Sequence, residues 1–399
     1  MLSLTVKKER IGPILGRHPW VFSGALAHLP EGLSGGMPVK LADDQGKFLA
    51  QGYFNSYSQI AVRIWSYDEK EEVNEEFFVR RVKAAYELRQ KFVLNKQTDS
   101  CRVVHSENDF LPGLVVDKYG DYLSVQFHTR GLDFWQEQII AALVKVFKPV
   151  GIYERSDVKV RGIEKGESKT GLLYGQVPER VKIIENGYKF WVDISGGQKT
   201  GFFLDQRDKR QALAKYVAEK NVLNCFSYTG GFSIYALGAG AKKVVSVDVS
   251  ESALALAEEN VKLNKLNSKK CEFICADARD YLNGLLTKDP ELAPEKFDVI
   301  ILDPPAYIKD RHKIKEGIMG YKRINELALR LLPSGGILVS ASCSAHLPLN
   351  DFRFVLSQAA GRAGRSLQIL ETYTHGIDHP ESVAFTEGDY LKCIFAQVG

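Results

Sequence analysis

The feature that most constrains this chain is a change of rhythm after about residue 181. From there to residue 399, short apolar runs alternate with longer helix-like ones: "NVLNCF", "FSIYALGAG", "KVVSVDV", "ESALALAEENVKLN", "CEFICAD", "FDVIILDPP", "INELALRLL" and "GGILVSAS". Strands alternating with helices of about 10–15 residues build βαβ units around a parallel sheet. Ligands on such sheets gather beyond the C-terminal ends of the strands. The residues standing at those ends therefore decide the chemistry.

The first strand, Val222–Phe226, runs into Ser227-Tyr228-Thr229-Gly230-Gly231 and then a helix. Small residues there let backbone approach a ligand, and the helix N-terminus offers unpaired N–H groups to a carboxylate or phosphate. The second strand, Lys243–Val247, ends in Asp248, suited to accept hydrogen bonds from two ribose hydroxyls. The third, Cys271–Cys275, ends in Ala276-Asp277, where a carboxylate can receive an adenine amino group. One acidic residue at a strand end is usually a cap or turn residue; two on successive strands after a glycine turn are harder to read that way. A dinucleotide fold is the competing reading, but "FSYTGGF" lacks the GxGxxG spacing that seats a pyrophosphate. A single nucleoside bearing a carboxylate fits better, and S-adenosylmethionine has that shape. Upstream, "GQKTGFFLDQRDKR" (Gly197–Arg210) reads in one way as a loop with Asp205 capping a helix from Gln206 to Tyr216. In the other way, Asp205, Gln206 and Arg207 wall off the methionine end of the cofactor.

The fourth strand, Val299–Leu302, ends in Asp303-Pro304-Pro305-Ala306-Tyr307, and its prolines force an extended exit that projects Asp303 into the cleft. The fifth, Ile337–Ser340, ends in "ASCSAH" around Cys343. Free cysteines are commonly small buried fillers, but neighbouring strand ends let Asp303 and Cys343 face one substrate. That pair suits methylation of pyrimidine carbon 5. A thiolate adds to carbon 6, giving an enamine-like ring nucleophilic enough to take a methyl group, while Asp303 at N3 stabilises the developing charge. His346, three residues beyond Cys343, has no orienting third group and reads as a loop residue. No residue identifies itself as the base that removes the carbon-5 proton.

The remainder of the chain reads as two smaller parts. Residues 1 to about 72 are Gly-rich with short alternating runs, "PVKLADDQGKFLAQGYF" and "QIAVRIW", and predict a small β-barrel. Residues 73–180 open with an amphipathic helix (Phe77, Val82, Ala85, Leu88), then a strand pair turning at Lys118-Tyr119-Gly120-Asp121 and a helix near Phe134–Phe147. The six cysteines form no CxxC pair, and Cys271 with Cys275 lacks partners at ligand spacing, which speaks against a metal site. No run approaches the roughly 18 apolar residues of a membrane span, so a reduced cytoplasmic protein is expected. Net charge is only +4, but Pro305–Arg323 holds Lys309, Arg311, Lys313, Lys315, Lys322 and Arg323 against Asp310 and Glu316. Beside an active site, such a stretch neutralises phosphates.

These residues resemble the class I S-adenosylmethionine-dependent RNA methyltransferases, and within them a bacterial branch that methylates carbon 5 of a cytosine in 23S rRNA. "GRHPWVFSGAL" with "GYFNSYSQIAVRIW" is similar to that branch's N-terminal RNA-binding PUA domain; "TGFFLDQR", "CFSYTGGFSIYA", "VVSVDVS", "LDPPAY" and "VSASCSAHL" are similar to its successive methyltransferase motifs. The resemblance covers essentially the whole chain. It implies an α/β fold: a Rossmann-like domain with a mostly parallel seven-stranded sheet (181–399), after a PUA β-barrel (1–72) and a central α+β domain (73–180). It implies cofactor contacts from Asp205, Gln206, Arg207, Phe226, Tyr228, Thr229, Gly230, Asp248 and Asp277. It implies Cys343 as the nucleophile; the reading of the strand ends and the basic stretch adds Asp303 beside it and contacts to the substrate from Pro304, Pro305, Tyr307, Lys309 and Arg311. The target base must be unpaired or flipped out; Tyr307 either stacks on it or packs into the core. Many RNA 5-methylcytosine enzymes carry a cysteine directly after the proline of the fourth motif, where this chain has Pro305 and then Ala306, so product release differs. The competing functions are rRNA guanine N7 or N2 methylation with Cys343 structural, and a non-catalytic RNA-binding or ribosome-assembly factor. The sequence leaves open whether the chain forms a homodimer.

Overall fold

The computed structural model describes residues 1–164, 166–287 and 296–399. Two compact units divide the chain, and neither is contiguous. The first comprises Met1–Glu185, Val192–Asp205 and Ile377–Gly388; the second comprises Asn186–Trp191, Gln206–Gly376 and Asp389–Gly399.

The first unit begins with a five-stranded sheet in the order Leu2–Thr5, Pro38–Ala42, Phe48–Phe54, Ile60–Ser66 and Trp20–Phe22. Its alternating apolar positions, among them Val39, Leu41, Phe54, Val62 and Ile64, close on one core. A second five-stranded sheet follows, ordered Lys169–Gly175, Gly151–Ser156, Tyr122–Phe127, Leu114–Tyr119 and Cys101–His105. The helices Glu75–Phe92 and Gln136–Phe147 pack together, with Phe77, Phe78, Val82, Ile139 and Leu143 in the same core as this sheet. Asn74 starts the first of them by accepting a hydrogen bond from the Phe77 amide at 3.0 Å. Its far end places Arg89, fully buried, in a bidentate pair with Asp109 at 2.7 Å, while the same guanidinium donates to the Asp378 carbonyl at 2.9 Å.

The second unit is built on seven strands: β1 (Asn221–Cys225), β2 (Lys243–Asp248), β3 (Cys271–Cys275), β4 (Val299–Leu302), β5 (Ile337–Ser342), β6 (Leu367–Tyr373) and β7 (Lys392–Val398). Their order is β3-β2-β1-β4-β5-β7-β6, with β7 antiparallel to both its neighbours and the pairs from β3 to β5 parallel. This is the mostly parallel α/β sheet that the strand–helix alternation predicts. The helices are α1 (Arg207–Leu213), α2 (Gly231–Gly238), α3 (Glu251–Leu263), α4 (Ala278–Thr287), α5 (Ile314–Leu331) and α6 (Leu349–Ala363). β1, β4 and β5 are wholly buried or nearly so, because helices cover both faces of a parallel sheet. The strand order reverses between β1 and β4, and the register aligns Cys225 with Leu302 and Leu302 with Ser340. The loops leaving β1, β4 and β5 consequently open side by side. That is where a ligand on a doubly wound sheet sits.

Candidate active site

The loop after β1 is held in an unusual backbone. Phe226 (φ 59°), Tyr228 (φ 47°) and Gly230 (φ 79°) are all left-handed. Two non-glycine residues in that region within three positions store strain, a mark of functional loops. The Tyr228 amide donates to Asp248 Oδ2 at 2.9 Å, while Oδ1 of the same carboxylate takes the Ser250 amide at 2.9 Å. Asp248 thus ties the end of β2 to the β1 loop. Gly230 precedes α2, and a Cβ there would lie 2.9 Å from the Ala257 Cβ on α3, so the loop depends on its absence. Beneath the loop, Asn224, Ser233 and Ser246 form a buried hydrogen-bond chain that seats α2 on the sheet.

Three buried oxygens at this end of the second unit, Gln206 Oε1, Ser227 Oγ and Thr229 Oγ1, have no hydrogen-bond partner among the described residues. Buried polar groups are rarely left unpaired unless a ligand supplies the missing bond. Their position beside the glycine turn fits a small polar cofactor. Asp277 follows β3 exposed to solvent and caps α4, its Oδ1 accepting from the amides of Arg279 (2.9 Å) and Asp280 (3.1 Å). Asp205 is not the helix cap that the sequence suggests. It lies in the short turn Leu204–Gln206, buried, with Oδ2 receiving the Lys199 ammonium at 2.8 Å. The helix then starts at Arg207, which is itself buried against Asp208.

Gln206 reaches the reaction side as well: its Nε2 donates to Asp303 Oδ1 at 2.9 Å. Asp303 is half-buried at the end of β4, followed by buried Pro304 and exposed Pro305. β5 runs two residues further than the apolar pattern indicates, to Ser342, so Cys343 is the first residue beyond it. Its Sγ lies 3.9 Å from the Pro304 carbonyl oxygen, which places the thiol one residue from Asp303. Cys343 is half-buried, whereas Ser342 and Ser344 on either side are fully buried. Ser344 anchors the loop: its Oγ is 2.9 Å from the Tyr321 hydroxyl and accepts from the Ile308 amide at 3.2 Å, and its carbonyl accepts from Lys392 Nζ at 2.9 Å. His346 is exposed.

Three other thiols of the sheet are hard to ionise. Burial pushes Cys225 and Cys393 far above the ordinary thiol range, and pushes Cys271 up to about 12. Tyr307 is half-buried, its ring 4.8 Å from that of Tyr321 and packed over Gly320 on α5, while its backbone carbonyl lies against Gly317. Burial raises its phenol well beyond the usual range. The ring is therefore part of the wall joining the β4 loop to α5. The basic stretch divides in two. Lys309, Arg311, Lys313 and Lys315 are exposed around the turn capped by Asp310 and the start of α5, whereas Arg323 further along α5 is engaged with Asn283 and Glu326.

The sequence reading missed Tyr321 and two buried lysines. Lys209 on α1 is fully buried and, like Asp303, lies close enough to Cys393 to act on its charge. Lys392 opens β7 and is 1% exposed. A lysine leading the apolar run "CIFAQV" was the available signal for the second of these.

A sequence profile described as S-adenosylmethionine-dependent methyltransferase matches residues 157–390, and one described as PUA-like domain matches residues 4–67. The ribosomal RNA large subunit methyltransferase I of Tolumonas auensis is 43% identical over 395 residues, 98% of each chain. Its counterparts in Aeromonas salmonicida (44% over 386 residues, 96% of each chain) and Escherichia coli O139:H28 (42% over 390 residues, 98% of this chain and 97% of that one) are equally similar. Among solved structures, a Streptococcus mutans protein assigned as an S-adenosylmethionine-dependent methyltransferase superposes with a TM-score of 0.82 at 25% identity over the full length of both chains. The described residues include no helix long and apolar enough to cross a membrane. S-adenosylmethionine is the cofactor of this fold, and the chain belongs to the ribosomal RNA large subunit methyltransferase I family of S-adenosylmethionine-dependent methyltransferases.

Proposed function

We propose that this enzyme methylates carbon 5 of a cytosine in 23S rRNA, with Cys343 as the nucleophile. The observation that carries the reading is the placement of a half-buried thiol directly beyond β5, its sulfur 3.9 Å from the Pro304 carbonyl and thus beside Asp303. The Cys343 thiolate adds to carbon 6 of the ring, forming an S–C bond and moving electron density toward carbon 5 and N3. Asp303, steadied by the Gln206 amide, meets the bound base in its protonated form, donates that proton to N3 to neutralise the charge developing there, and takes it back when the ring is restored. When bound, S-adenosylmethionine would supply the electrophilic methyl group, which carbon 5 takes up as the bond to the sulfonium breaks and the thioether S-adenosylhomocysteine is left. Loss of the carbon-5 proton to a base then restores the ring, and the S–C bond breaks to return the thiolate.

The cofactor-holding residues in this reading are Gln206, Arg207 and the loop Phe226–Gly230, with Asp248 at the ribose and Asp277 at the adenine; Asp205 completes the set implied by the motif. Each buried oxygen left without a partner, on Gln206, Ser227 and Thr229, would gain one from such a ligand. The exposed turn bearing Lys309 and Arg311 meets RNA phosphates, Pro304 and Pro305 wall the base, and Tyr307 backs that wall. The PUA-like barrel (1–72) and the central domain (73–180) grip surrounding RNA by shape and phosphate contacts.

Cys343→Ala tests the reading. Methyl transfer to rRNA should vanish while calorimetry still detects S-adenosylmethionine binding, and RNA carrying 5-fluorocytosine should trap a covalent adduct on the unmutated enzyme. Near-normal turnover of the variant would transfer the assignment to a guanine N7 or N2 target with a structural cysteine.

A further inference from the structure

A thiol adds to a pyrimidine only as the thiolate. In the free enzyme an ionised Asp303 works against that, because a carboxylate beside the sulfur disfavours a second negative charge. Some cation has to offset it, and the sequence neighbours of Cys343 provide none. The register of the sheet does. β7 runs antiparallel to β5 and pairs Lys392 with Ser342, the residue before Cys343. Lys392 is 1% exposed, and its Nζ donates at 2.9 Å to the carbonyl of Ser344, the residue after Cys343. Taking an ammonium out of water is costly unless charge or hydrogen bonds compensate, so a lysine sunk at this point is not filler.

The other charged and titratable groups facing this end of the sheet are few. Asp303 comes from the β4 loop. Tyr321 comes from α5, and burial keeps it above the usual phenol range, hence neutral. Cys393 adjoins Lys392 on β7 and is also held neutral by burial. Lys209 on α1 is near enough for its charge to act on Cys393, and His346 is exposed further along the loop.

We propose that Lys392 is a positioning residue of the methyl-transfer reaction: its buried ammonium fixes the Ser344 carbonyl, and with it the Cys343 loop, while its charge favours the Cys343 thiolate. This rests on the reading of Cys343 as the nucleophile. The thiol proton goes to solvent, and Lys392 keeps its own three protons throughout.

Site-resolved alkylation of the full-length protein with iodoacetamide, followed by mass spectrometry between pH 6 and 10, reads the thiolate directly. Cys275, which is exposed, serves as the reference in the same digest. The Cys343 midpoint in the unmutated protein should fall below the ordinary thiol value of about 8.5. Lys392→Met should raise it by about one unit and slow alkylation at pH 7 about tenfold. Lys392→Gln, which keeps a donor for the Ser344 carbonyl but no charge, should show the same shift, and Lys392→Arg should restore the original profile. A midpoint at or above 8.5 in the unmutated protein overturns the proposal. So do superimposable profiles in variants that still bind S-adenosylmethionine. Turnover of Cys343→Ser is a separate readout: an active Cys343→Ser enzyme would defeat the nucleophile assignment while leaving the alkylation profile to judge Lys392.

Discussion

Ser344→Ala removes one oxygen and should cost both stability and rate. In the folded chain that oxygen sits 2.9 Å from the Tyr321 hydroxyl and accepts the Ile308 amide at 3.2 Å, with Ser344 and Tyr321 fully buried and Ile308 nearly so. Without it the Ile308 N–H has no acceptor, and the Tyr321 hydroxyl must turn toward Ser342. A buried group left unpaired costs about 1–3 kcal/mol. With one group orphaned and another weakened, the expected loss is about 2–4 kcal/mol. For a unit of this size each kcal/mol lowers Tm by roughly 2–4 °C, so thermal unfolding followed by circular dichroism should move down by roughly 4–16 °C. The cost to rate has a different origin. Ser344 directly follows Cys343, the proposed nucleophile, and anchors its loop, and a displacement of about 1 Å at a reacting atom can lower turnover about a hundredfold. Single-turnover methyl transfer should fall accordingly, with S-adenosylmethionine affinity nearly unchanged because the β1 loop is untouched. A cycle with Tyr321→Phe should show a coupling of about 1 kcal/mol. Should Ser344→Ala melt within a degree of the unmutated protein and turn over normally, the idea that this hydroxyl holds the Cys343 loop is wrong.

Other expectations follow from neighbouring features. Gly230→Ala places a Cβ 2.9 Å from Ala257 on a backbone with φ 79°, and should weaken S-adenosylmethionine binding about tenfold in calorimetry through strain of about 1–3 kcal/mol. Gly317→Ala brings a Cβ to 2.3 Å from Ile308 and should displace the Tyr307 wall, lowering turnover more than cofactor affinity. Replacing Lys309 and Arg311 together by alanine should reduce the salt dependence of RNA binding by about two phosphate contacts, measured as the slope of log affinity against log salt. Glu371 on β6 is pushed upward by burial, but hydrogen bonds from Lys215, Tyr216 and Tyr373 outweigh this and hold it down at about 2. A depressed carboxylate stabilises the fold above its unfolded value, about 4.3, and that contribution fades as pH falls toward 2. Glu371→Gln should therefore lower Tm by about 2–4 °C at pH 7, with the difference shrinking below pH 4.

Much of the second unit was legible because its signals are local. The apolar runs mark β1 to β5, the acidic residues at their ends mark the ligand side, and two prolines explain why Asp303 leaves β4 rigidly. The strand ends drifted where polar residues continue a buried strand: β5 includes Ser340 and Ser342, which an apolar pattern cuts short. Asp277 shows the other limit, since an aspartate before a helix looks the same whether it caps, binds a ligand or does both. Lys392 was out of reach for a topological reason. It comes beside Cys343 only through an antiparallel pairing across about 50 residues of chain, and nothing near residue 343 announces which strand will lie alongside. The Gln206–Asp303 bond spans 97 residues and is equally silent in the local pattern.

The interleaving of the two units has a bearing on how the protein is made. Arg89 leaves the ribosome 289 residues before Asp378, the carbonyl that completes its buried hydrogen-bond set. At about 5–20 residues per second, that is a wait of roughly 15–60 s. During that interval the N-terminal unit can assemble its two sheets but lacks the Ile377–Gly388 segment that belongs to it. A nascent chain stalled before residue 377 should therefore expose Arg89 and Asp109 to solvent, and a fragment cut at Glu185 should be a poorer folder than its share of the core suggests. For an enzyme of ribosomal RNA, maturation of the first unit is in this way deferred until residues 377–388, and the whole second-unit segment before them, have been translated.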